Sequence, residues 1–167
     1  MLILGIDLSS VRLGWALSSG DEWGSCALHG DIAVRCLAAR DCVAMLLDRY
    51  RPALVAIEAP VARFARSIIP QSRVAGAILA TLAERQALWV EIEPRRAKLA
   101  LTGDGGASKA QVVAAAAVRL GLDGDVMRCG GRWGLWTSGA CVLDEDAADA
   151  YAIVHAARAV RVRRMAS

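Results

Sequence analysis

The hydrophobic pattern in the first third of the chain predicts three consecutive strands followed by a helix. Residues 2–9, "LILGIDLS", form an apolar run of strand-favouring residues, and shorter runs at 12–18 and 22–28 follow after tight turns. We therefore predict a three-stranded antiparallel meander. Apolar positions at helical spacing predict a helix over residues 32–49, and Pro52 then breaks the pattern.

The rest of the chain alternates between predicted strands and helices. The short apolar runs at 53–60 and 88–94 predict two more strands, with a helix over 72–87 between them. Four further predictions complete the pattern: one or two helical turns in 95–101, a helix from the N-cap Ser108 to residue 120, an extended glycine-rich loop over 121–140, and a closing helix from near Asp144 to about residue 160.

This order of elements predicts one α/β domain. Three antiparallel strands followed by alternating helices and strands give a mixed sheet with helices on its faces. A chain of 167 residues is long enough to bury a core, and no internal repeat or linker divides it. We predict a single domain over residues 1–160 and a basic C-terminal tail over residues 161–167.

Composition argues against a disordered chain, a membrane-spanning chain and a zinc or disulfide framework. The chain is 56% hydrophobic and 22% charged, which argues against disorder, and its net charge of +3 does not by itself indicate nucleic acid. No charge-free apolar run reaches the length that spans a bilayer, and the first residues lack a signal-peptide pattern, so we expect a soluble cytoplasmic protein. Five cysteines without a CxxC pair argue against zinc or a disulfide framework and favour reduced, mostly buried thiols.

Four carboxylates occupy positions that need an explanation. Asp7 lies inside a predicted core strand, where an ionised side chain is costly unless something compensates its charge. Glu58 ends another short strand, and strand ends are where ligands collect in parallel sheets. Asp146 and Asp149 are three residues apart on the closing helix and share a face, while the alanines between them allow close packing against the sheet.

One or two Mg²⁺ ions would account for all four carboxylates together. Magnesium prefers oxygen ligands, and two such ions can clamp the attacking and leaving oxygens of a phosphodiester. Simpler explanations exist for the single residues. Acids in the first turn of a helix are stabilised by its dipole or act as N-cap, which covers Asp144 and Glu145 but not Asp149. Glu58 could be a salt-bridged strand end, and Asp7 a turn residue of a hairpin.

Four motifs carry a family resemblance. "ILGIDLSSVRLGWAL", "LVAIEAP", "LTGDGGASKAQV" and "DEDAADAYAIVHAA" resemble the ordered motifs of RuvC-type Holliday junction resolvases, and most of all those of compact phage nucleases. The resemblance extends from residue 3 to about residue 157. It implies an RNase H-like fold, with a mixed five-stranded sheet of three antiparallel and then two parallel strands flanked by helices.

The resemblance also implies an activity. It is that of a Mg²⁺-dependent endonuclease, with Mn²⁺ as a possible substitute, which acts as a homodimer and places paired nicks in four-way or branched DNA. The catalytic and metal-binding residues it implies are Asp7, Glu58, Asp146 and Asp149. A phage-encoded protein of this kind would act in the host cytoplasm.

The candidate DNA-binding residues are basic or aromatic. Lys109 aligns with a lysine in the family's "A-x-K-x-x-V" segment and could neutralise or hold a phosphate; Lys98 is a weaker match. Either lysine could instead be a solvated helix residue. Arg63, Phe64 and Arg66 are candidates for contact with junction bases or backbone, although core packing or a dimer contact would also explain the phenylalanine.

The sequence leaves undecided the role of two tryptophans and the choice between the implied activity and two other functions. Trp133 and Trp136 could stack on exposed bases or cap the sheet. A related nuclease acting on flap DNA, fork DNA or RNA would need the same carboxylates, because they contact the phosphate and not the shape around it. A non-catalytic DNA-binding module is the third possibility, and it predicts at least one missing carboxylate, whereas all four are present.

Overall fold

A five-stranded mixed sheet forms the centre of the computed structural model, which describes residues 1–60 and 65–160, with only the backbone for residues 65–67. Its strands are β1 (Ile3–Leu8), β2 (Arg12–Leu17), β3 (Trp23–Ala27), β4 (Leu54–Glu58) and β5 (Trp89–Ile92). Their order across the sheet is β3-β2-β1-β4-β5. The first three are antiparallel and the β1–β4 and β4–β5 pairs are parallel, so the predicted mixed sheet is confirmed.

Five helices flank this sheet within the described residues. They are α1 (Ile32–Tyr50), α2 (Ala65–Glu84), α3 (Pro94–Thr102), α4 (Lys109–Leu120) and α5 (Glu145–Ala157). The predicted bounds of α2 are wrong, because the helix begins before residue 72, continues through Pro70 and ends before residue 87. The predicted cap of α4 is confirmed: Ser108 and Gln111 form a reciprocal capping box.

A second, three-stranded sheet replaces the loop predicted for residues 121–140. Its strands, all antiparallel, are β6 (Asp125–Cys129), β7 (Arg132–Thr137) and β8 (Ala140–Asp144). Two-residue turns join them, and the turn residues Gly130, Gly131, Ser138 and Gly139 all have positive φ angles. These are the backbone angles that tight hairpins require, so the glycines mark turns between strands rather than an extended loop.

The alternation of side chains along β1 separates two cores. Leu4, Ile6 and Leu8 pack into the apolar layer formed with α1 and α2. Ile3 packs into the other layer, which contains α3, α4 and α5. Asp7 has the same parity as Ile3 and Gly5, so it lies on the α5 side of the sheet.

Glycine lets α5 approach the sheet closely. A Cβ atom at Gly5 would lie 2.3 Å from the backbone carbonyl oxygen of Ala150, far inside van der Waals contact. Nine residues of α5 are buried, and six of these nine are alanines. Small side chains on both sides therefore bring the helix backbone onto β1, next to Asp7.

None of the helices in the described part of the chain is long and apolar enough to cross a membrane. The predicted basic tail, residues 161–167, lies outside the described residues, so the division into domain and tail stays a prediction.

Candidate active site

The first turn of α5 uses two acidic residues for local structure. The Asp144 carboxylate accepts a hydrogen bond from the backbone N–H of Ala147 at 2.9 Å, which confirms it as the N-cap. The Glu145 carboxylate accepts one from the backbone N–H of Trp133 at 2.9 Å. These contacts fix the start of the helix against β7 and orient the carboxylates that follow.

Asp7 and Glu58 meet at the carboxyl ends of two parallel strands. Strands β1 and β4 are neighbours with Ile6 opposite Ile57, so the next residue on each strand is one of these two acids. The two side chains are close enough to share a hydrogen bond when one of them is protonated, and the negative charge of Asp149 on the second turn of α5 raises the pKa of both. Three acidic side chains from three separate elements are therefore close enough for their charges to act on one another.

Burial raises the pKa of each of these three carboxyls. It is the largest cause of the raised pKa at Asp7, and the charges of Glu58 and Asp149 raise it further. Burial likewise raises the pKa of Glu58 and of Asp149, although positive charge from Lys109 opposes the shift in both. Burial and mutual repulsion therefore work against three ionised carboxylates side by side, and positive charge works in their favour.

Two lysines supply part of that positive charge. Lys109 forms an ion pair with Asp149, whose side chain is only 13% exposed. Burial would lower the pKa of Lys109, but the neighbouring Asp149 more than offsets it, so the pKa is raised. Lys98 donates to the backbone carbonyl of Ala107 at 2.7 Å. Neither lysine is a freely solvated helix residue.

Both lysines open onto one cleft. It has a volume of about 220 Å³ and is lined by Glu58, Asp149, Lys98, Lys109 and apolar residues of α3 and α5. The cleft therefore presents oxygen ligands and ammonium groups side by side, a combination suited to a phosphate that is bound together with a cation.

Asp146 has different partners from Asp149, although the two share a helix. Arg12 Nε donates to Asp146 Oδ2 at 2.6 Å, and Arg132 donates to the same oxygen. Burial would raise the pKa of Asp146, but the hydrogen bonds and charges of the two arginines lower it. Asp146 is therefore held as an ionised carboxylate between two guanidinium groups.

The arginine contacts extend to the N-cap of α5. Arg12 also donates to Ser25 Oγ at 2.8 Å and lies 3.4 Å from Asp144, and Ser25 Oγ in turn donates to Asp144. Sequence reasoning missed Arg12, Arg132 and Ser25. Arg132 lies in a segment predicted as a loop. Arg12 contacts residues more than 130 positions later in the chain, and no local sequence pattern indicates such a distant contact.

The structure thus brings together three of the four predicted site carboxylates and holds the fourth with arginines. Across residues 1–60 and 65–160, no group of three or more His, Cys, Asp or Glu side chains is arranged to hold a metal ion. The chemistry of the donors still fits a hard divalent cation, because Asp7, Glu58 and Asp149 are buried oxygen ligands with excess negative charge. Their role as ligands stays a prediction.

The structure describes the two tryptophans but not the candidate side chains near residue 64. Arg63 and Phe64 lie outside the described residues, and the Arg66 side chain is not described either. Trp133 is half-buried and packs against the core around α4 and α5, which favours capping of the sheet over base stacking. Trp136 lies on β7, and its indole N–H is buried without a hydrogen-bond partner among the described residues.

Comparison with known proteins places these features in a family. A family model described as "Crossover junction endodeoxyribonuclease RuvC" matches residues 3–126. A protein of that name from Mycobacterium bovis is 32% identical over 179 aligned positions, which cover 99% of this chain and 87% of the relative. Another, from Leifsonia xyli, is 45% identical over 89 residues, 53% of this chain and 43% of the relative.

Solved structures share the fold. Thermus thermophilus RuvC in complex with a Holliday junction substrate has a TM-score of 0.70 and 21% identity, with 93% of this chain and 91% of that chain covered. A further structure of Thermus thermophilus RuvC has a TM-score of 0.65 and 24% identity, with coverage of 93% and 92%.

Proposed function

The chain belongs to the RuvC family of crossover junction endodeoxyribonucleases, and from that premise we propose that it resolves four-way DNA junctions by paired, metal-dependent nicks. The observation that carries the proposal is the group formed by Asp7, Glu58 and Asp149. Folding buries three carboxyls close enough to repel one another, and the pKa of each is raised. When these buried carboxyls ionise, their uncompensated charge destabilises the folded protein. A cation bound among them would remove that cost.

The carboxylates would hold Mg²⁺, with Mn²⁺ as a substitute. Asp7, Glu58 and Asp149 are the first ligands we propose, and Asp146 joins them by exchanging its arginine partners. When bound, the cation activates a water for attack on the phosphodiester and stabilises charge on the leaving oxygen. The reaction we propose is hydrolysis without a covalent intermediate.

The basic side chains around the carboxylates would receive the DNA. Lys98 and Lys109 line the cleft beside Glu58 and Asp149, where they can neutralise charge on the scissile phosphate. Arg12 and Arg132 both contact Asp146 in the first turn of α5, and their planar donor groups suit adjacent phosphates of the same strand. These contacts position the backbone and carry no base specificity.

We propose that two copies of the chain act together. A four-way junction has two strands of equivalent geometry, and symmetric nicks in them require two active sites related by a two-fold axis. A homodimer supplies this arrangement directly.

A panel of branched substrates tests the proposed function. One preparation is given a mobile four-way junction, a flap, a linear duplex and an RNA hairpin, each with Mg²⁺ and with EDTA. We expect Mg²⁺-dependent paired nicks in the four-way junction and much slower cutting of the others. Faster cutting of the flap or RNA would establish the related-nuclease alternative, and junction binding with no cutting by the wild-type protein would establish a non-catalytic module.

The Asp7→Asn variant separates binding from chemistry. It removes one charge from the carboxylate group and leaves Lys98 and Lys109 in place. We expect it to abolish nicking while it still binds the junction, with binding that weakens steeply as salt is added because phosphate contacts release counterions. Nicking at close to the wild-type rate would overturn the assignment of Asp7.

A further inference from the structure

Two thiols from different elements meet at the edge of the central sheet. Cys26 lies on β3 and Cys42 on α1, and their Sγ atoms are 3.2 Å apart. Both side chains are half-buried against the core formed with α1. The spacing along the chain gives no sign of a pair, because 16 positions separate the two cysteines. The fold alone brings the sulfurs into contact.

We propose that Cys26 and Cys42 form a reversible disulfide that ties the edge strand β3 to α1, with a low-molecular-weight disulfide such as oxidised glutathione as the oxidant. The other three cysteines are differently placed. Cys129 and Cys141 are exposed on the small sheet, and Cys36 has no thiol contact among the described residues. The proposal does not depend on the nuclease function.

The surroundings favour Cys26 as the attacking thiol. The contact with Cys42, in which either sulfur could be the donor, lowers the pKa of Cys26, and the positive charge of Arg12 lowers it further, against burial and the negative charge of Asp146. The same contact and burial raise the pKa of Cys42. The two thiols therefore differ in thiolate character, as in pairs in which one attacks and the other resolves.

The reaction balances as two exchanges. Cys26 thiolate attacks one sulfur of oxidised glutathione, and the first glutathione leaves as a thiolate, so that a mixed disulfide forms on Cys26. Cys42 then attacks Sγ of Cys26, and the second glutathione leaves. The two protons of the protein thiols end on the two glutathione thiols. One protein disulfide is formed and one glutathione disulfide is reduced.

The position of the bond connects it with the start of α5. Ser25, next to Cys26, donates to the N-cap Asp144, and Trp23 on the same strand donates its indole N–H to the carbonyl of Val142 at 3.0 Å. Strand β3 therefore supports the chain that leads into α5. A covalent link from β3 to α1 would restrict this strand, which lies at the edge of the sheet in the described part of the chain.

Mass measurement on a variant that keeps only this pair tests the proposal. The protein carries Cys36→Ser, Cys129→Ser and Cys141→Ser and is incubated with oxidised glutathione. We expect the intact mass to fall by that of two hydrogens, with a linked Cys26–Cys42 peptide and full reversal by dithiothreitol. As a matched control, the same protein with Cys42→Ser should instead retain one glutathione on Cys26.

A second measurement covers the case in which the triple serine variant folds poorly. Wild-type protein is oxidised in the same way, digested and mapped, and its thermal midpoint is compared with that of the reduced form. We expect the linked peptide and a midpoint higher by several degrees, absent in Cys42→Ser. Unreacted Cys26 and Cys42, or stable glutathione on both, would overturn the proposal.

Discussion

A Cβ atom at Gly14 would lie 2.2 Å from the backbone carbonyl oxygen of Asp146. Gly14 also faces Asp7 across the β1–β2 pair. The first turn of α5 therefore rests directly on the sheet, one strand away from the carboxyl that it helps to surround. This contact is what allows residues from opposite ends of the chain to share a site.

The close approach predicts that Gly14→Ala destabilises the protein and stops cleavage. The added methyl group collides with backbone and Asp146 Cβ, so α5 must move away from β2. We expect a loss of about 2 kcal/mol in the free energy of unfolding, the usual scale for overpacking. Chemical denaturation and a junction-cleavage assay measure the two effects.

Gly76→Ala is the matched control for that substitution. Gly76 lies within α2, and nothing lies within 4 Å of the position its Cβ would take. Because alanine favours a helix more than glycine does, we expect this variant to be as stable as the wild type or slightly more so, with unchanged cleavage. Equal behaviour of the two variants would contradict the role given to Gly14.

The raised pKa of Asp7 predicts a variant that is more stable but inactive. In the folded protein Asp7 keeps its proton to a higher pH than in the unfolded chain, where its pKa is near 3.8. Above that pH the folded state binds more protons than the unfolded state, so its stability falls as pH rises through the folded pKa. Asp7→Asn removes this loss.

Thermal unfolding without divalent ions measures this effect across pH. At pH 8 we expect Asp7→Asn to unfold at a higher temperature than the wild type, with a smaller difference near pH 4. Added Mg²⁺ should raise the midpoint of the wild type and leave that of Asp7→Asn almost unchanged. A variant less stable than the wild type at pH 8 would contradict the burial of an uncompensated charge.

The arginines on Asp146 predict competition with the cation. Arg132→Gln removes one positive charge and one hydrogen bond from Asp146. We expect Mn²⁺ to bind this variant about threefold to tenfold more tightly, the scale of one partly screened charge interaction. Isothermal titration on protein without DNA gives the affinity directly, independently of catalysis.

Arg85→Gln serves as the control for the arginine experiment. Arg85 pairs with Asp48 of α1, and both side chains are largely exposed. Loss of this pair leaves the carboxylates of the cleft unchanged, so Mn²⁺ affinity should equal that of the wild type. Weaker binding in Arg132→Gln than in Arg85→Gln would show that Arg132 supports the cation site instead of competing for Asp146.

The ion pair between Lys109 and Asp149 predicts coupled effects on stability. Lys109→Met leaves the mostly buried Asp149 carboxylate without its partner, whereas Asp149→Asn removes the charge itself. Because the lysine side chain is 43% exposed, solvent screens the pair, and we expect a coupling of about 1 kcal/mol in a double-mutant cycle without metal. Denaturation of the two single variants and the double variant measures it.

The exposed pair of Arg85 and Asp48 again gives the reference. Its cycle should show a coupling of less than about 0.5 kcal/mol, as surface pairs do. If the Lys109–Asp149 cycle gave no larger value, the lysine would not be a specific partner of that carboxylate.

Strand alternation, strand pairing and helix capping can be predicted from neighbouring residues, and they position Asp7 and Glu58. Period-two alternation in β1 explains why Asp7 lies on the opposite face from Leu4 and Ile6, and parallel pairing places Glu58 beside it. Capping chemistry identified Ser108 and Asp144 correctly, because an N-cap depends only on residues three or four positions away.

Contacts between distant segments could not be predicted in the same way. Arg12 reaches Asp146 only after β2 has packed against α5, and Arg132 reaches it only because β6, β7 and β8 form a sheet. The sequence did contain a signal for that sheet. Gly130–Gly131 and Ser138–Gly139 are two-residue hairpin turns that join β6, β7 and β8, but the glycine-rich composition of residues 121–140 predicts an extended loop instead.

Anomalous scattering from crystals grown with Mn²⁺ shows whether the carboxylates of β1, β4 and α5 together bind a divalent cation. We predict a manganese peak within coordination distance of Asp7, Glu58 and Asp149, with Asp146 turned from its arginines toward the ion. Crystals that bind manganese elsewhere, with Lys109 still paired to Asp149 and no peak among these carboxylates, would show that this group is not a cation site.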